Sequence, residues 1–307
     1  MHPMVRLLAA FDPADLRIVL PPVVAWRALR LALDPPRDTA SLMTPDSYDP
    51  EFTAALMGAV DWLGRRYFRW RALDAANVPA KGPALLVGNH NGGLMTFDAM
   101  FILRAVLDAR GPDRIVHGLG HDFVHLDRTI RKYAGRAGVL PASPASVTEA
   151  FRRDRLVLVF PGSDFDSFRP FTERNRVVLA GRTGFVRVAL EHGVPIVPVV
   201  TVGAQETYVV LTRGERLASL LGLKQRMRSN VFPIALSFPW GLTSAFLPYV
   251  PLPARITTAF CRPLSWPHLK PRHADDPEVL LRCYAEVMVS MQARMDELSR
   301  GRWPWLG

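Results

Sequence analysis

Cysteine is scarce in this 307-residue chain, and other common signals are missing altogether. The two cysteines, Cys261 and Cys283, are too few for a disulfide framework and lack metal-ligand spacing, which favours a reducing compartment. No run of about 20 apolar residues is free of helix breakers, so we expect no membrane-spanning helix. No cleavage site follows the apolar patch beside Arg6, and we expect no signal peptide. The absence of Gly-x-Ser-x-Gly disfavours a serine hydrolase.

Lysine is also rare, with four residues, so arginine carries nearly all of the positive charge. The formal net charge is +10 and the isoelectric point about 10.3. A basic surface suits nucleic acid, anionic lipid or a phosphorylated cofactor. Composition alone does not choose among these partners.

The most informative segment runs from Gly88 to Asp98. It follows an apolar run at 84–87 that is typical of a buried strand, and precedes residues 99–107, which have the pattern of a helix. His90 therefore ends a strand, and Asp98 lies in the first turn of a helix. Gly92 and Gly93 between them permit a tight turn. A neutral imidazole held by a carboxylate can take a proton from a hydroxyl group, so this pair predicts general-base chemistry.

Two amphipathic helices with basic faces are predicted before this segment, over residues 16–33 and 51–70. Such helices either lie in a membrane interface or pack on the domain core, and the sequence favours neither alternative. Residues 34–50 contain four prolines and are predicted to form a loop. We expect an N-terminal helical region over residues 1–75 and a second domain over 76–307.

From about residue 80, short apolar runs alternate with helical periods. Strands are predicted at 84–88, 113–117, 156–160, 195–202 and near 255–260. Helices are predicted at 99–109, 123–135, 145–153, 182–192 and 277–299. This alternation predicts an α/β fold with a largely parallel, mixed sheet flanked by helices.

Residues 231–253 contain no charged side chain and five prolines. The prolines exclude a continuous helix, so we expect an irregular apolar segment. It would either cover the sheet as a core loop or border a lipid pocket and dip into one membrane leaflet. The lipid interpretation is favoured, because a long apolar loop otherwise needs extensive burial.

A second polar group follows the strand predicted at 156–160. Phe160, Pro161, Gly162 and Ser163 form the strand-to-loop turn, and Asp164, Asp166 and Arg169 come directly after it. In α/β proteins, ligands bind beyond the carboxyl ends of the strands. We therefore expect these side chains to border the site.

Three motifs in order, Asn89-His90 followed by Asp98, Phe160-Pro161-Gly162, and Val194–Val199, make the chain resemble the glycerolipid and lysophospholipid acyltransferase family over residues 70–265. It is most similar to members with Asn-His-x-Gly-Gly and Phe-Pro-Gly sequences. The resemblance implies the α/β fold of glycerol-3-phosphate acyltransferases. It also implies an acyl-CoA or acyl carrier protein co-substrate, with no cofactor and no metal.

The chain departs from the family pattern at three places. The usual His-x4-Asp spacing is His-x7-Asp here, and we expect a bulged Gly-Gly turn to bring Asp98 back to His90. Ser143 occupies the place of an arginine that grips the acceptor phosphate in the family, and Gly162 replaces a glutamate. Four arginines are candidate substitutes for phosphate binding: Arg136, Arg169, Arg174 and Arg182. A neutral glyceride thus becomes a plausible acceptor beside lysophosphatidic acid.

The implied mechanism is direct acyl transfer, with His90 as general base and Asp98 orienting it. The resemblance also places Asn89, Gly92, Gly93, Phe160, Pro161, Gly162 and Ser163 around the substrates. Backbone N–H groups at Gly92–Gly93 or at Gly162–Ser163 are candidates to stabilise the oxyanion.

Other interpretations stay open beside acyl transfer. They are a thioesterase or other hydrolase, and a non-catalytic lipid- or nucleic-acid-binding protein, although we expect no nucleic acid. His117, His121 and His125 are four residues apart, but the glycines among them disfavour a metal-binding helix. We expect a peripheral or monotopic protein on the cytoplasmic face of an anionic membrane.

Overall fold

The structure is a computed structural model that describes residues 2–12, 43–93, 95–120, 128–223, 229–244, 247 and 249–307. A seven-stranded sheet, in the order β1-β10-β6-β2-β5-β3-β4, forms its centre. These strands are β1 (Arg71–Leu73), β2 (Ala84–Gly88), β3 (Val116–Gly120), β4 (Leu140–Pro141), β5 (Leu156–Val159), β6 (Ile196–Val202) and β10 (Thr257–Phe260). All neighbouring pairs are parallel except β10 and β6. The predicted fold class is confirmed.

Helices cover both faces of this sheet. The helices of the described residues are α1 (Pro3–Ala9), α2 (Pro50–Arg66), α3 (Phe97–Arg110), α4 (Arg128–Arg136), α5 (Pro144–Arg152), α6 (Ser163–Ser167), α7 (Gly184–His192), α8 (Glu215–Leu220) and α9 (Pro277–Ser299). Side chains of α2 and α3 form one apolar core with the sheet, and side chains of α5, α7 and α9 form the other. Because both faces are covered, β2 and β6 are buried along their whole length and have continuous apolar sequences.

The second amphipathic helix predicted in the N-terminal region corresponds to α2. It begins at an N-cap aspartate, Asp49, which accepts a hydrogen bond from the backbone N–H of Phe52 at 2.9 Å. Met57 and Val60 of α2 are buried in the same core as Phe101 of α3. This helix therefore packs on the core. The other predicted helix, 16–33, lies outside the described residues.

The predicted domain boundary at residue 75 falls just after β1, which is hydrogen-bonded to β10. The sheet thus takes in the last residues of the predicted N-terminal region. Among the described helices, none combines the length and the apolar composition needed to cross a membrane.

A second sheet of three antiparallel strands contains β7 (Val209–Thr212), β8 (Ile234–Ser237) and β9 (Gly241–Ser244). The expectation that residues 231–253 are irregular throughout is wrong for β8 and β9. Pro233 precedes β8 and Pro239 lies in the turn between β8 and β9, so neither ring removes a hydrogen-bond donor from a strand. One side of this small sheet packs with Phe168, Tyr208 and Tyr249.

Candidate active site

Two parallel strands bring the two predicted polar segments together. β2 and β5 are paired with Val87 opposite Val159, so both strands end at the same edge of the sheet. His90 follows β2 and Phe160 follows β5. Their rings stack with centroids 4.5 Å apart. The site therefore lies beyond the carboxyl ends of the strands, where α/β proteins bind ligands.

His90 and Asp98 are in direct contact despite their unusual spacing. The Nδ1 atom of His90 lies 2.9 Å from Oδ2 of Asp98. Gly92 and Gly93 have φ values of +74° and +59°, and this left-handed backbone turns the loop back towards α3. The His90 side chain is 15% exposed, whereas Asp98 is fully buried. A hydrogen bond from Nδ1–H to Asp98 leaves Nε2 of the neutral ring as the proton acceptor.

Asp98 is held by backbone donors as well as by His90. Its Oδ2 accepts a hydrogen bond from the N–H of Asn91 at 2.7 Å, and its Oδ1 accepts one from the N–H of Ala99 at 2.8 Å. Asp98 also lies in the first turn of α3, where the helix dipole favours a negative charge. The carboxylate is thus fixed in the orientation that presents the ring of His90.

A buried ion pair supports the same loop from the side of α6. The N–H of His90 donates to Oδ2 of Asp166 at 2.5 Å, and Nη1 of Arg169 lies 2.7 Å from Oδ1 of Asp166. Arg169 also donates to the carbonyl oxygen of His90 at 2.7 Å and to the side chain of Asn91. Asp166 and Arg169 are both fully buried. These two residues position His90 through its backbone.

The electrostatic environment alters two pKa values in the site. Burial alone would lower the pKa of His90, but the charge and hydrogen bond of Asp98, with the charge of Asp166, raise it above 6.5. Burial raises the pKa of Asp166 to about 6, although Arg169 opposes this shift. The neutral, base-competent form of His90 therefore increases as the pH rises through this raised pKa.

The Gly92–Gly93 turn also forms hydrogen bonds with residues that the sequence did not single out. Gln205 accepts a hydrogen bond from the N–H of Gly92 at 3.0 Å, and the hydroxyl of Tyr249 donates to the carbonyl oxygen of Gly92 at 2.6 Å. The ring of Tyr249 stacks on Tyr208 with centroids 4.1 Å apart. Gln205 lies in no motif, so no sequence signal could have found it. Asn91, in contrast, is adjacent to His90 in the sequence, so the motif around His90 is a signal that could have found it.

The turn after β5 is tightly packed. A Cβ atom at Gly162 would collide with the carbonyl oxygen of Val178 and with the side chain of Asp166. The glutamate that the family carries here therefore does not fit this backbone. Ser163 has a φ of +49° and begins α6. Pro161 is buried, and its carbonyl oxygen accepts a hydrogen bond from Arg182 at 3.0 Å.

The other three candidate phosphate ligands among the arginines are engaged elsewhere. Arg136 bonds Asp49 at 2.9 Å and stacks on Phe52. Arg169 is buried in the network described above, and Arg174 bonds the carbonyl oxygen of Phe171 and stacks on its ring. Arg182 keeps 42% of its side chain exposed beside the turn after β5, with Oδ1 of Asp164 at 3.6 Å. Arg182 is thus the candidate with the most accessible charge.

The side chain of Asn89 connects two strands of the sheet. It is fully buried, and its side-chain amide exchanges two hydrogen bonds with the backbone of Thr201, at 2.8 and 3.1 Å. These bonds fasten the end of β2 to β6. Direct contact of the Asn89 side chain with substrate, which the resemblance implied, does not fit this burial.

Several candidate oxyanion donors are already in use. The N–H groups of Gly92, Gly93 and Ser163 donate to Gln205, Ser167 and Phe160 respectively. Of the four groups considered, only the N–H of Gly162 has no acceptor among the described residues. The Gly-Gly turn is therefore a poor oxyanion site in this conformation, and its role is to shape the loop.

The arrangement can remove a proton, and among the described residues the one side chain that hydrogen-bonds the His90 ring is Asp98. Cys261 and Cys283 lie in the core, Cys283 within α9, and burial raises the pKa of both thiols. His117 is also buried, with Nδ1 2.9 Å from the carbonyl oxygen of Gly138. His121 and His125 lie outside the described residues. The described residues thus offer a histidine paired with a buried carboxylate, an arrangement that can act as a base.

A family model described as Acyltransferase matches residues 71–202, which contain β2, His90, Asp98 and the turn after β5. The uncharacterized protein Rv0502 of Mycobacterium tuberculosis is 31% identical over 256 residues, covering 83% of this chain and 69% of that protein. Human diacylglycerol O-acyltransferase 2 is 25% identical over 174 residues, covering 53% of this chain and 43% of that protein.

A solved structure is also similar to this chain. It is the 1-acyl-sn-glycerophosphate acyltransferase PlsC from Thermotoga maritima, with a TM-score of 0.48 and 14% sequence identity. The match covers 98% of this chain and 97% of the other.

Proposed function

Because the chain belongs to the acyltransferase family, we propose that it transfers a fatty acyl group from acyl-CoA or acyl carrier protein to the hydroxyl of a glycerolipid. The observation that carries this proposal is the 2.9 Å contact between His90 Nδ1 and Asp98 Oδ2 at the carboxyl edge of the sheet. It provides a base at Nε2 that can act directly on the acceptor hydroxyl.

In the proposed reaction, Nε2 of His90 takes the proton of the acceptor hydroxyl as its oxygen attacks the thioester carbonyl carbon. Asp98 stabilises the imidazolium that results. The tetrahedral intermediate collapses with cleavage of the carbon–sulfur bond. The departing thiolate then takes from Nε2 the proton that came from the acceptor hydroxyl. The products are an ester and a free thiol. General-base catalysis of this kind contributes about 10²–10⁴-fold to a rate.

We propose a neutral acceptor, monoacylglycerol or diacylglycerol. Ser143 stands where the family has a phosphate-gripping arginine, and its hydroxyl caps α5. Arg169 is buried and Arg136 is paired with Asp49, so neither presents a free charge to a phosphate. The name of the human relative, diacylglycerol O-acyltransferase 2, is in line with this class of acceptor. Such an acceptor would be met at a membrane surface, where we expect the protein to be peripheral or monotopic on the cytoplasmic face.

The test is thiol release from palmitoyl-CoA, measured without acceptor and then with monoacylglycerol, diacylglycerol or lysophosphatidic acid, with lipid analysis of the products. We expect a new ester with the neutral acceptors, and a loss of about 10²–10⁴-fold in rate for His90→Ala. His268→Ala, at an exposed histidine, is the matched control.

Other outcomes identify the alternatives. Thiol release that does not depend on an acceptor would indicate a thioesterase. Ester formation only with lysophosphatidic acid would contradict the neutral acceptor, and Arg182→Gln would then test whether that arginine binds the phosphate. Full turnover by His90→Ala would contradict the general-base role.

A further inference from the structure

We propose that the outer face of the three-stranded sheet β7-β8-β9, with the turn between β8 and β9, is the surface that docks on an anionic lipid bilayer. The inference rests on the proposed function, because a docked membrane would supply the lipid acceptor of that reaction. The register of the strands, the charge of the surrounding chain and the position of the loop that carries His90 favour an anionic bilayer as the partner.

The strand register separates the two faces of this sheet. Val209 is opposite Leu236, and Leu236 is opposite Leu242, so the three side chains form one row across the sheet. The next row, with Val210 and Ala235, is buried against the protein. An antiparallel sheet with one solvated face ordinarily carries polar residues on that face. Here, Leu236 is 47% exposed and Leu242 is 66% exposed.

The apolar surface continues beyond the strands. Phe238, in the turn after β8, is 64% exposed, and its backbone is bridged to that of Val250, which is also exposed. β7, β8 and β9 contain no charged residue. Contiguous exposed apolar surface on a protein marks a binding surface, and aromatic residues at its margin suit the boundary between lipid and water.

The charge of the surrounding chain selects an anionic partner. No Asp or Glu occurs between Glu215 and Asp275, whereas the same stretch contains eight Lys and Arg residues. Arg216 of α8, the helix that follows β7, is exposed. An apolar surface within a purely basic stretch is the combination that binds a bilayer containing anionic lipids.

The opposite face of the sheet contacts the catalytic loop. Tyr249, which packs with Val210 and Ala235, donates its hydrogen bond to the carbonyl oxygen of Gly92. Tyr208 packs against Gly93. The proposed docking surface is therefore separated from the loop that carries His90 by the thickness of one sheet. A bilayer bound there would bring the membrane close to the base.

The experiment is co-sedimentation with vesicles of phosphatidylcholine and phosphatidylglycerol, and with vesicles of phosphatidylcholine alone. The test variant is Leu236→Ser/Phe238→Ser/Leu242→Ser. The matched control is Leu281→Ser/Val289→Ser, at exposed apolar positions of α9. We expect the wild type and the control to bind the anionic vesicles, and the test variant to bind them at least about tenfold more weakly. Circular dichroism and thermal unfolding check that all three chains fold.

Activity separates docking from chemistry. We expect the test variant to acylate a short-chain, water-soluble diacylglycerol within about twofold of the wild type, and to lose activity towards diacylglycerol embedded in vesicles. Vesicle binding that the three substitutions leave unchanged would overturn the proposal. A wild-type dimer that becomes a monomer in the variant would show that this face binds a second copy, and would also overturn it. Vesicle binding lost in the variant, with no acyl transfer by any chain, would support the docking surface and refute the proposed function.

Discussion

At the scale of single residues, Asp98 determines how His90 titrates. The carboxylate is buried, accepts two backbone hydrogen bonds, and lies 2.9 Å from Nδ1 of His90. Its charge is the main reason that the pKa of His90 is raised despite burial. The same charge stabilises the imidazolium that forms during the proposed reaction. In the proposed reaction, Asp98 thus makes His90 a stronger base and also raises the pH at which the neutral ring becomes available.

We predict that the rate of acyl transfer rises with pH through the raised pKa of His90, because only the neutral ring accepts a proton. In Asp98→Asn, the charge that raises this pKa is lost, so the acid limb of the profile moves to lower pH. The plateau falls as well, by about 10²–10⁴-fold, because the ring loses its orientation. The measurement is kcat/KM against pH for both proteins. An acid limb that stays in place would contradict the assignment of this titration to His90.

At the scale of secondary-structure elements, a buried ion pair at the end of α6 forms hydrogen bonds to the loop between β2 and α3. Arg169 donates to Asp166, to the carbonyl oxygen of His90 and to Asn91. The sequence placed Arg169 near the site, but suggested that it binds a phosphate. Its burial shows instead that its charge is used to fasten two elements together.

We predict that Arg169→Leu destabilises the protein by about 3–5 kcal/mol, because it leaves Asp166 buried without its partner. Arg174→Leu removes a partly exposed arginine of the same segment and should cost less than about 1 kcal/mol. Urea unfolding of both variants measures the two free energies. Equal losses of unfolding free energy in the two variants would mean that the ion pair with Asp166 does not add to stability.

Strands β1, β4, β7, β8 and β9 were not predicted from the sequence. The strands predicted at 84–88, 156–160 and 195–202 were found, because β2, β5 and β6 are buried in the sheet and have long apolar runs. The strand predicted at 113–117 is an exception, since β3 begins at Val116. Its sequence contains His117, Gly118 and Gly120, which weaken the apolar pattern. The pairing of His90 with Asp98 could be anticipated from the Gly-Gly turn. The contacts of Gln205 and Tyr249 could not, because they depend on which distant segments the fold brings together.

At the scale of the whole molecule, the charge of +10 is spread unevenly along the chain. The acidic residues that neutralise arginines in the described structure, such as Asp49, Asp61 and Asp108, lie outside the long basic stretch that contains the small sheet. The segment between Glu215 and Asp275 therefore carries positive charges without any acidic residue among them.

We predict that binding to anionic vesicles weakens as the salt concentration rises but does not vanish, because screening removes the electrostatic part and leaves the apolar part. Co-sedimentation at low and high salt measures this dependence. Binding that is independent of salt would show that the basic stretch does not contribute. A parallel titration with RNA and DNA examines the expected absence of nucleic-acid binding.

The position of β10 has a consequence for how the protein is made. Among the described strands, β1 pairs only with β10, and β10 lies between β1 and β6. A ribosome adds about 5–20 residues per second, so roughly 10–40 s pass between the synthesis of β1 and that of its partner. During this interval, the apolar side chains next to β1, such as Phe68 and Trp70, have no completed sheet to cover them. Until β10 emerges, the nascent chain therefore exposes apolar surface of the kind that chaperones bind.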